Sequence, residues 1–195
     1  MRWCTSGFLL ALLFPTLIFA SNANKIELGS SAFWTGFAGG IIAHELGHIA
    51  VASAYGQKAR LHAGSVIYPN SSFSPQESLR VSTAGFQTQW LFSEWSFYQL
   101  DKEEETILRQ QHYVGLITSH IAISLVYMAG LKDEPTSDIY AASITSGRSR
   151  DELAWMALAP ALLDTYRLFG HDVPAWVDYM SIGLKTAEIG FIWTF

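Results

Sequence analysis

The chain has 195 residues, a length that suits one domain and is too short for two comfortable ones. Half of its residues are hydrophobic, 15% are charged, and the net charge is -5. This balance favours a chain with lipid-facing surface, and the absence of a lysine and arginine cluster argues against nucleic acid as a partner. Cys4 is the single cysteine, which excludes an intrachain disulfide and a cysteine zinc site.

Residues 1–23 have the pattern of a secretory signal peptide. Arg2 supplies a short positive region, residues 7–20 form an apolar core, and residues 21–23 resemble a small-residue cleavage site. The competing interpretation is an uncleaved N-terminal anchor helix, which Pro15 and the shortness of the apolar run disfavour. Residues 24–195 are then predicted to form a single membrane-embedded domain.

The pentapeptide His-Glu-Leu-Gly-His at 44–48 lies in a stretch, 30–57, in which Glu45 is the only formally charged side chain. On a helix, residues four apart share one face, so the imidazoles of His44 and His48 can both bind one Zn²⁺. Glu45 can then take a proton from a metal-bound water instead of binding the metal. A cluster of this kind inside a membrane would be costly unless it were paired, bound to metal or facing a cavity.

Four segments after this helix are long and apolar enough to be embedded helices: 81–100, 110–131, 153–170 and 175–195. Basic residues concentrate in alternate connecting loops, as the positive-inside rule expects for segments that cross a membrane. Residues 58–75 combine strand-forming residues with Gly64, Pro69 and Asn70, which indicates a short strand or β-hairpin or an ordinary connecting loop. The sequence thus predicts a mainly α, polytopic membrane protein, multi-pass and of the bacterial inner-membrane type.

Residues 44–56, HELGHIAVASAYG, resemble the HExGHxxxAxxxG helix of the site-2 protease family of intramembrane zinc metalloproteases. Residues 82–86 are similar to that family's Ala-Gly-Pro segment, and residues 160–164 are similar to its Pro-x-x-Leu-Asp-Gly segment. Phe86 stands where the family has proline, and Thr165 stands where it has glycine. The resemblance implies a membrane-associated β-hairpin after the metal-binding helix.

The resemblance also implies that Asp164 is the third zinc ligand, beside His44 and His48. Two alternatives for this carboxylate remain open: an ion pair with Arg167 three residues later, and a solvated helix face. Tyr166 and Arg167 are further candidates for the oxyanion site or for contacts with the ligands.

His112 and His120 lie eight residues apart on the uncharged segment 110–131 and so share one side of a helix. They are candidates for lining the cavity and binding a tetrahedral intermediate. The alternative is that both are packing residues, each with one local hydrogen bond, as lone histidines on apolar helices usually are.

These features together predict a zinc-dependent intramembrane endopeptidase that cleaves membrane-associated polypeptides, with Glu45 as the catalytic base. Its partners would be a polypeptide substrate and the lipid bilayer. One alternative is a soluble secreted or periplasmic zinc metalloprotease in which the apolar helices form a buried core. Another is a non-catalytic zinc-binding membrane protein, in which the metal has a structural role.

Overall fold

The computed structural model describes residues 26–62, 65–69, 71–102 and 106–194. The predicted signal peptide or anchor at 1–23 lies outside the described residues. Six α-helices, one 3₁₀ turn at Leu131–Asp133 and two short strands make up the described part of the chain. The prediction of a mainly α-helical protein is therefore confirmed.

The helices, in chain order, are α1 Ser31–Ala54, α2 Pro75–Leu100, α3 Ile107–Ala129, α4 Asp138–Ser146, α5 Arg150–Phe169 and α6 Ala175–Thr194. The pentapeptide lies within α1, and the four segments predicted as helices coincide largely with α2, α3, α5 and α6. Helix α4 was not predicted, because its nine residues are too few to give a long apolar run.

Helix α2 begins several residues before the predicted segment at 81–100, and its start has a clear local cause. Ser74 accepts a hydrogen bond from the Glu77 backbone N–H, while the Glu77 side chain accepts one from the Ser74 N–H. Pro75 occupies the first helical position, where its missing N–H removes no helical hydrogen bond. This capping box sets the start of α2.

Helix α1 is central to the bundle, since it packs against both α2 and α3. At the crossing with α3 the two backbones come very close. A side chain at Gly36 would overlap the backbone carbonyl of His112, and one at Gly115 would overlap the carbonyl of Phe33. Small residues at these positions therefore allow α1 and α3 to pack backbone to backbone.

Strands β1 (Arg60–His62) and β2 (Ser65–Ile67) follow α1 and pair antiparallel, with Arg60 opposite Ile67. Residues 63–64, which join them, lie outside the described part of the chain. Gly56 has a φ of +73° in the turn that ends α1, a conformation that suits glycine. Strand β2 packs back against α1, so this segment stays next to the helix that carries the pentapeptide.

Among the described helices, α3 is the one both long and apolar enough to cross a bilayer, and 61% of its most apolar window is buried inside the protein. The sequence predicts several crossing segments, but among the described residues hydropathy singles out α3 alone, and a largely buried core helix of a soluble protein has the same length and composition. The predicted multi-pass arrangement is therefore not supported by hydropathy. Helix α1 carries His44, Glu45 and His48, while α6 carries Lys185 and Glu188. Such side chains lower the mean hydropathy of a helix even where they face the protein interior.

Candidate metal centre

His44 and His48 lie one turn apart on α1 and point to the same side, with ring centroids 4.9 Å apart. Both are buried, with 3% and 4% of their surface exposed. The α1 face that carries them is covered by α2 and by the start of α4. The two imidazoles are therefore enclosed by protein on the side where a metal ion would bind.

The third member of the site is Asp138, the first residue of α4. Its Oδ2 lies 3.0 Å from His44 Nε2 and 3.3 Å from His48 Nε2. One ligand atom from each of these three residues lies within 4.8 Å of the others. The structure thus contains a candidate metal-binding triad of two imidazoles and one carboxylate.

The far nitrogen of each imidazole is held by α2. His48 Nδ1 donates to the Val81 carbonyl oxygen at 2.6 Å, and His44 Nδ1 faces Gln89 Oε1 at 3.1 Å. With these protons on Nδ1, both Nε2 atoms present lone pairs toward the Asp138 carboxylate. Such contacts also orient histidine ligands in metalloproteins, where an outer acceptor fixes the tautomer.

Three lone-pair donors that face one another repel unless a cation lies between them. His48 Nε2 is buried and has no hydrogen-bond partner among the described residues, an arrangement that normally costs stability. A divalent ion would satisfy this atom together with the other two donors. The residues present therefore fit a metal ion, and nitrogen and oxygen donors of this type suit zinc.

Asp138 is also fixed by Tyr127 of α3, whose hydroxyl donates to Oδ2 at 2.5 Å. Burial alone would raise the pKa of the Asp138 carboxyl, but when the imidazoles of the metal-free site carry a proton on Nε2, the charge of His48 and the N–H groups of both rings lower that pKa well below its usual range. The carboxylate is therefore ionised at neutral pH. An ionised oxygen with a defined orientation is what a metal ligand requires.

Glu45 follows His44 on α1 and is half-buried, in contrast to its two buried histidine neighbours. A general base must be reachable by water and also close to the reacting atoms. The half-buried side chain of Glu45 meets the first requirement, and Glu45 is the immediate chain neighbour of His44.

Asp164 lies elsewhere, fully buried in α5. Its carboxylate accepts hydrogen bonds from four side chains, at 2.5 to 3.1 Å: Ser93 Oγ, Lys185 Nζ, Ser181 Oγ and Arg167 Nη1. These donors occupy both oxygens, so they are not free to bind a metal. The structure does not place Asp164 with His44 and His48. Asp138 lies where the resemblance leads one to expect Asp164. The alternative, an ion pair with Arg167, is present.

The remaining predicted residues lie outside this triad. His120 is fully buried with Nε2 3.7 Å from Asp164 Oδ2, and Arg167 pairs with Asp164, Glu94 and Asp178. His112 lies at the contact of α1 and α3, where its Nδ1 is 3.4 Å from the Thr35 hydroxyl. Tyr166 is 44% exposed on the outer face of α5.

Sequence reasoning missed Asp138 and Tyr127. The available signal for Asp138 was the pair Ser137-Asp138, a typical helix start, directly before an apolar stretch. Tyr127 gave no signal, since it is one aromatic residue in an uncharged helix.

Gly85 of α2 allows the two helices to meet at the metal-binding face. A Cβ atom there would lie 2.5 Å from His48 Nε2 and would overlap His44 Nε2. We expect Gly85→Ala to fold but to lose bound metal by about tenfold or more, because misplaced ligand geometry commonly costs 10–100-fold in metal affinity. Metal content of the purified protein, measured by mass spectrometry, checks this.

Gly183→Ala is the matched control, since nothing lies within 4 Å of a Cβ at that position on α6. It should keep the metal content of the wild type. Equal metal in both variants would contradict the proposed position of the ion.

Comparisons of the chain with protein-family models, with curated proteins and with solved structures find no match. The geometry of the site is therefore what supports a function.

Proposed function

We propose that the protein is a zinc-dependent intramembrane endopeptidase that cleaves membrane-associated polypeptides. The observation that carries the proposal is the triad of His44, His48 and Asp138 with Glu45 beside it on α1. A site with three protein ligands leaves a fourth position for water or substrate, which is typical of catalytic rather than structural zinc. A purely structural site would have no need of a half-buried carboxylate in this position.

The proposed reaction is hydrolysis of a peptide bond. A divalent ion at the triad would polarise the peptide carbonyl and acidify a water molecule. Glu45 takes a proton from the attacking water as its oxygen bonds to the carbonyl carbon. Glu45 then gives this proton to the amide nitrogen as the C–N bond breaks, which yields a carboxylic acid and an amine.

The distribution of apolar side chains supports a membrane location. Large apolar residues are exposed on the outside of all five long helices, and examples are Trp34, Ile42, Leu91, Leu125, Leu162 and Ile182. The interior in turn holds fully buried polar side chains, among them Ser93, Ser119, Asp164 and Ser181. Apolar residues outside and polar residues inside suit a bilayer, in which exposed apolar surface carries no penalty.

Helix lengths are consistent with a multi-pass arrangement. Helices α1, α2, α3, α5 and α6 each have at least 20 residues. At 1.5 Å per residue, about 20 residues cover the ~30 Å of a bilayer's hydrocarbon core. We therefore propose that several of these helices cross the membrane, with the ionisable residues of α1, α5 and α6 facing the protein interior.

The catalytic role is tested by Glu45→Gln. This change keeps the size of the side chain but removes the base, so hydrolysis of fluorescently labelled casein in detergent micelles should fall by about 10²- to 10⁴-fold. Metal content should stay at the wild-type level, because Glu45 is not a ligand. Glu134→Gln, an exposed residue before α4, is the control and should leave both quantities unchanged.

Unchanged hydrolysis in Glu45→Gln would contradict the proposal and favour a non-catalytic metal site. The membrane location has a separate test, extraction of membranes with alkaline carbonate. The protein should remain in the pellet, and its recovery in the aqueous phase would favour the soluble alternative.

A further inference from the structure

Tyr68, directly after β2, holds a hydroxyl group that is buried and has no hydrogen-bond partner among the described residues. Its ring packs edge-to-face against Phe73, with centroids 5.5 Å apart. A buried hydroxyl without a partner costs free energy, so such groups are uncommon and often belong to a functional site. Tyr68 is therefore a positioned donor that binds no acceptor among the described residues.

The fold holds the segment before Tyr68 against the helix of the candidate metal centre. Strand β2 packs against α1, the helix that carries His44, Glu45 and His48. Burial raises the pKa of the Tyr68 hydroxyl, and the negative charges of Asp138 and Glu45 raise it further. The hydroxyl therefore stays protonated at neutral pH and able to donate.

The other tyrosines near this region are already engaged. The Tyr127 hydroxyl donates to Asp138, and the Tyr55 hydroxyl accepts from Arg80 Nη1 at 3.4 Å. The Tyr127 hydroxyl cannot donate to a new acceptor without giving up Asp138, whereas the Tyr55 hydroxyl is positioned by the Arg80 guanidinium. Tyr68 is the one of these three whose buried hydroxyl has no hydrogen-bond partner among the described residues.

We propose that Tyr68 is a catalytic residue whose hydroxyl binds the carbonyl oxygen of the peptide bond to be cleaved. This inference rests on the proposed function and adds the recognition of a polypeptide carbonyl by the segment after β2. As water adds to the carbonyl carbon, negative charge develops on that oxygen and strengthens the hydrogen bond. A donor fixed in place before the reaction stabilises the transition state more than the ground state.

The test is Tyr68→Phe, which removes the hydroxyl and keeps the ring. Loss of one such donor typically lowers turnover by about 10²- to 10³-fold, and this is the expected effect on hydrolysis of labelled casein in micelles. Metal content should not change. The melting temperature should stay the same or rise, because the lost hydroxyl has no partner in the protein. Tyr179→Phe, 76% exposed on α6, is the matched control and should behave as the wild type.

A merely structural role for Tyr68 would lower the melting temperature by several degrees, and this result would overturn the inference. Wild-type turnover in Tyr68→Phe would overturn it too, while leaving the proposed function intact if Glu45→Gln is inactive. An inactive wild type with full metal content would overturn the proposed function and the role of Tyr68 with it.

Discussion

Replacing Asp138 with asparagine is expected to remove most of the bound metal and, with it, hydrolysis. The amide keeps the shape of the side chain but lacks the charge that Oδ2 presents to both imidazoles at 3.0 and 3.3 Å. Zinc sites bind with roughly 10–16 kcal/mol shared among their ligands, so one ligand accounts for about 3–4 kcal/mol, or 10²- to 10³-fold in affinity. Titration of the metal-free protein with Zn²⁺, followed by a competing chelator, measures this loss.

The matched variant for the metal titration is Asp164→Asn. Asp164 is equally a buried aspartate on a helix, but its oxygens are held by serine, lysine and arginine side chains. It should bind Zn²⁺ with nearly the affinity of the wild type. The opposite pattern, metal lost in Asp164→Asn and kept in Asp138→Asn, would restore Asp164 as the third ligand.

The second large effect is expected on stability, from Asp164→Ala. This change removes the carboxylate that lies 2.6 and 3.1 Å from the buried Lys185 and Arg167 and leaves the two cations to share Glu94. Breaking a buried ion pair by removing one partner typically costs about 3–5 kcal/mol. For a chain of this size that corresponds to a fall in melting temperature of roughly 10 °C, measurable by thermal unfolding in detergent.

A surface pair provides the comparison for this stability effect. Asp151 pairs with Lys132 at the start of α5, but its side chain is 74% exposed. Water and salt screen such pairs, so Asp151→Ala should leave the melting temperature nearly unchanged. Similar melting temperatures in Asp151→Ala and Asp164→Ala would show that the cluster around Asp164 does not hold α5 against α2 and α6.

The part of the site that could be predicted from sequence is its local part. His44, Glu45 and His48 lie within one turn and a half of a single helix, so their spacing alone fixes their geometry. The third member of the candidate triad, Asp138, lies 94 residues after His44, and its position depends on how α4 packs against α1 and α2. No periodicity in the sequence encodes that packing.

For Asp164, the sequence predicts that the carboxylate has a partner but does not identify all of its partners. A carboxylate in an apolar run needs a partner, and the structure supplies several. The identity of these partners depends on the packing of α2 and α6 against α5. Contacts between such distant segments cannot be predicted from the sequence pattern. Similar reasoning applies to the fold: long apolar runs predicted the long helices, while the nine-residue α4 was missed.

Val81, Gly85 and Gln89 are spaced four residues apart and so form one stripe along α2, opposite the imidazoles. A one-residue insertion between Val81 and Gly85 would rotate Gly85 and Gln89 by about 100° around the helix axis. His44 would then lose its acceptor on Gln89, and the space that Gly85 leaves for the two imidazoles would be lost. The exposed side of this helix can thus vary in sequence freely, whereas the number of residues between Val81 and Gln89 has to stay the same.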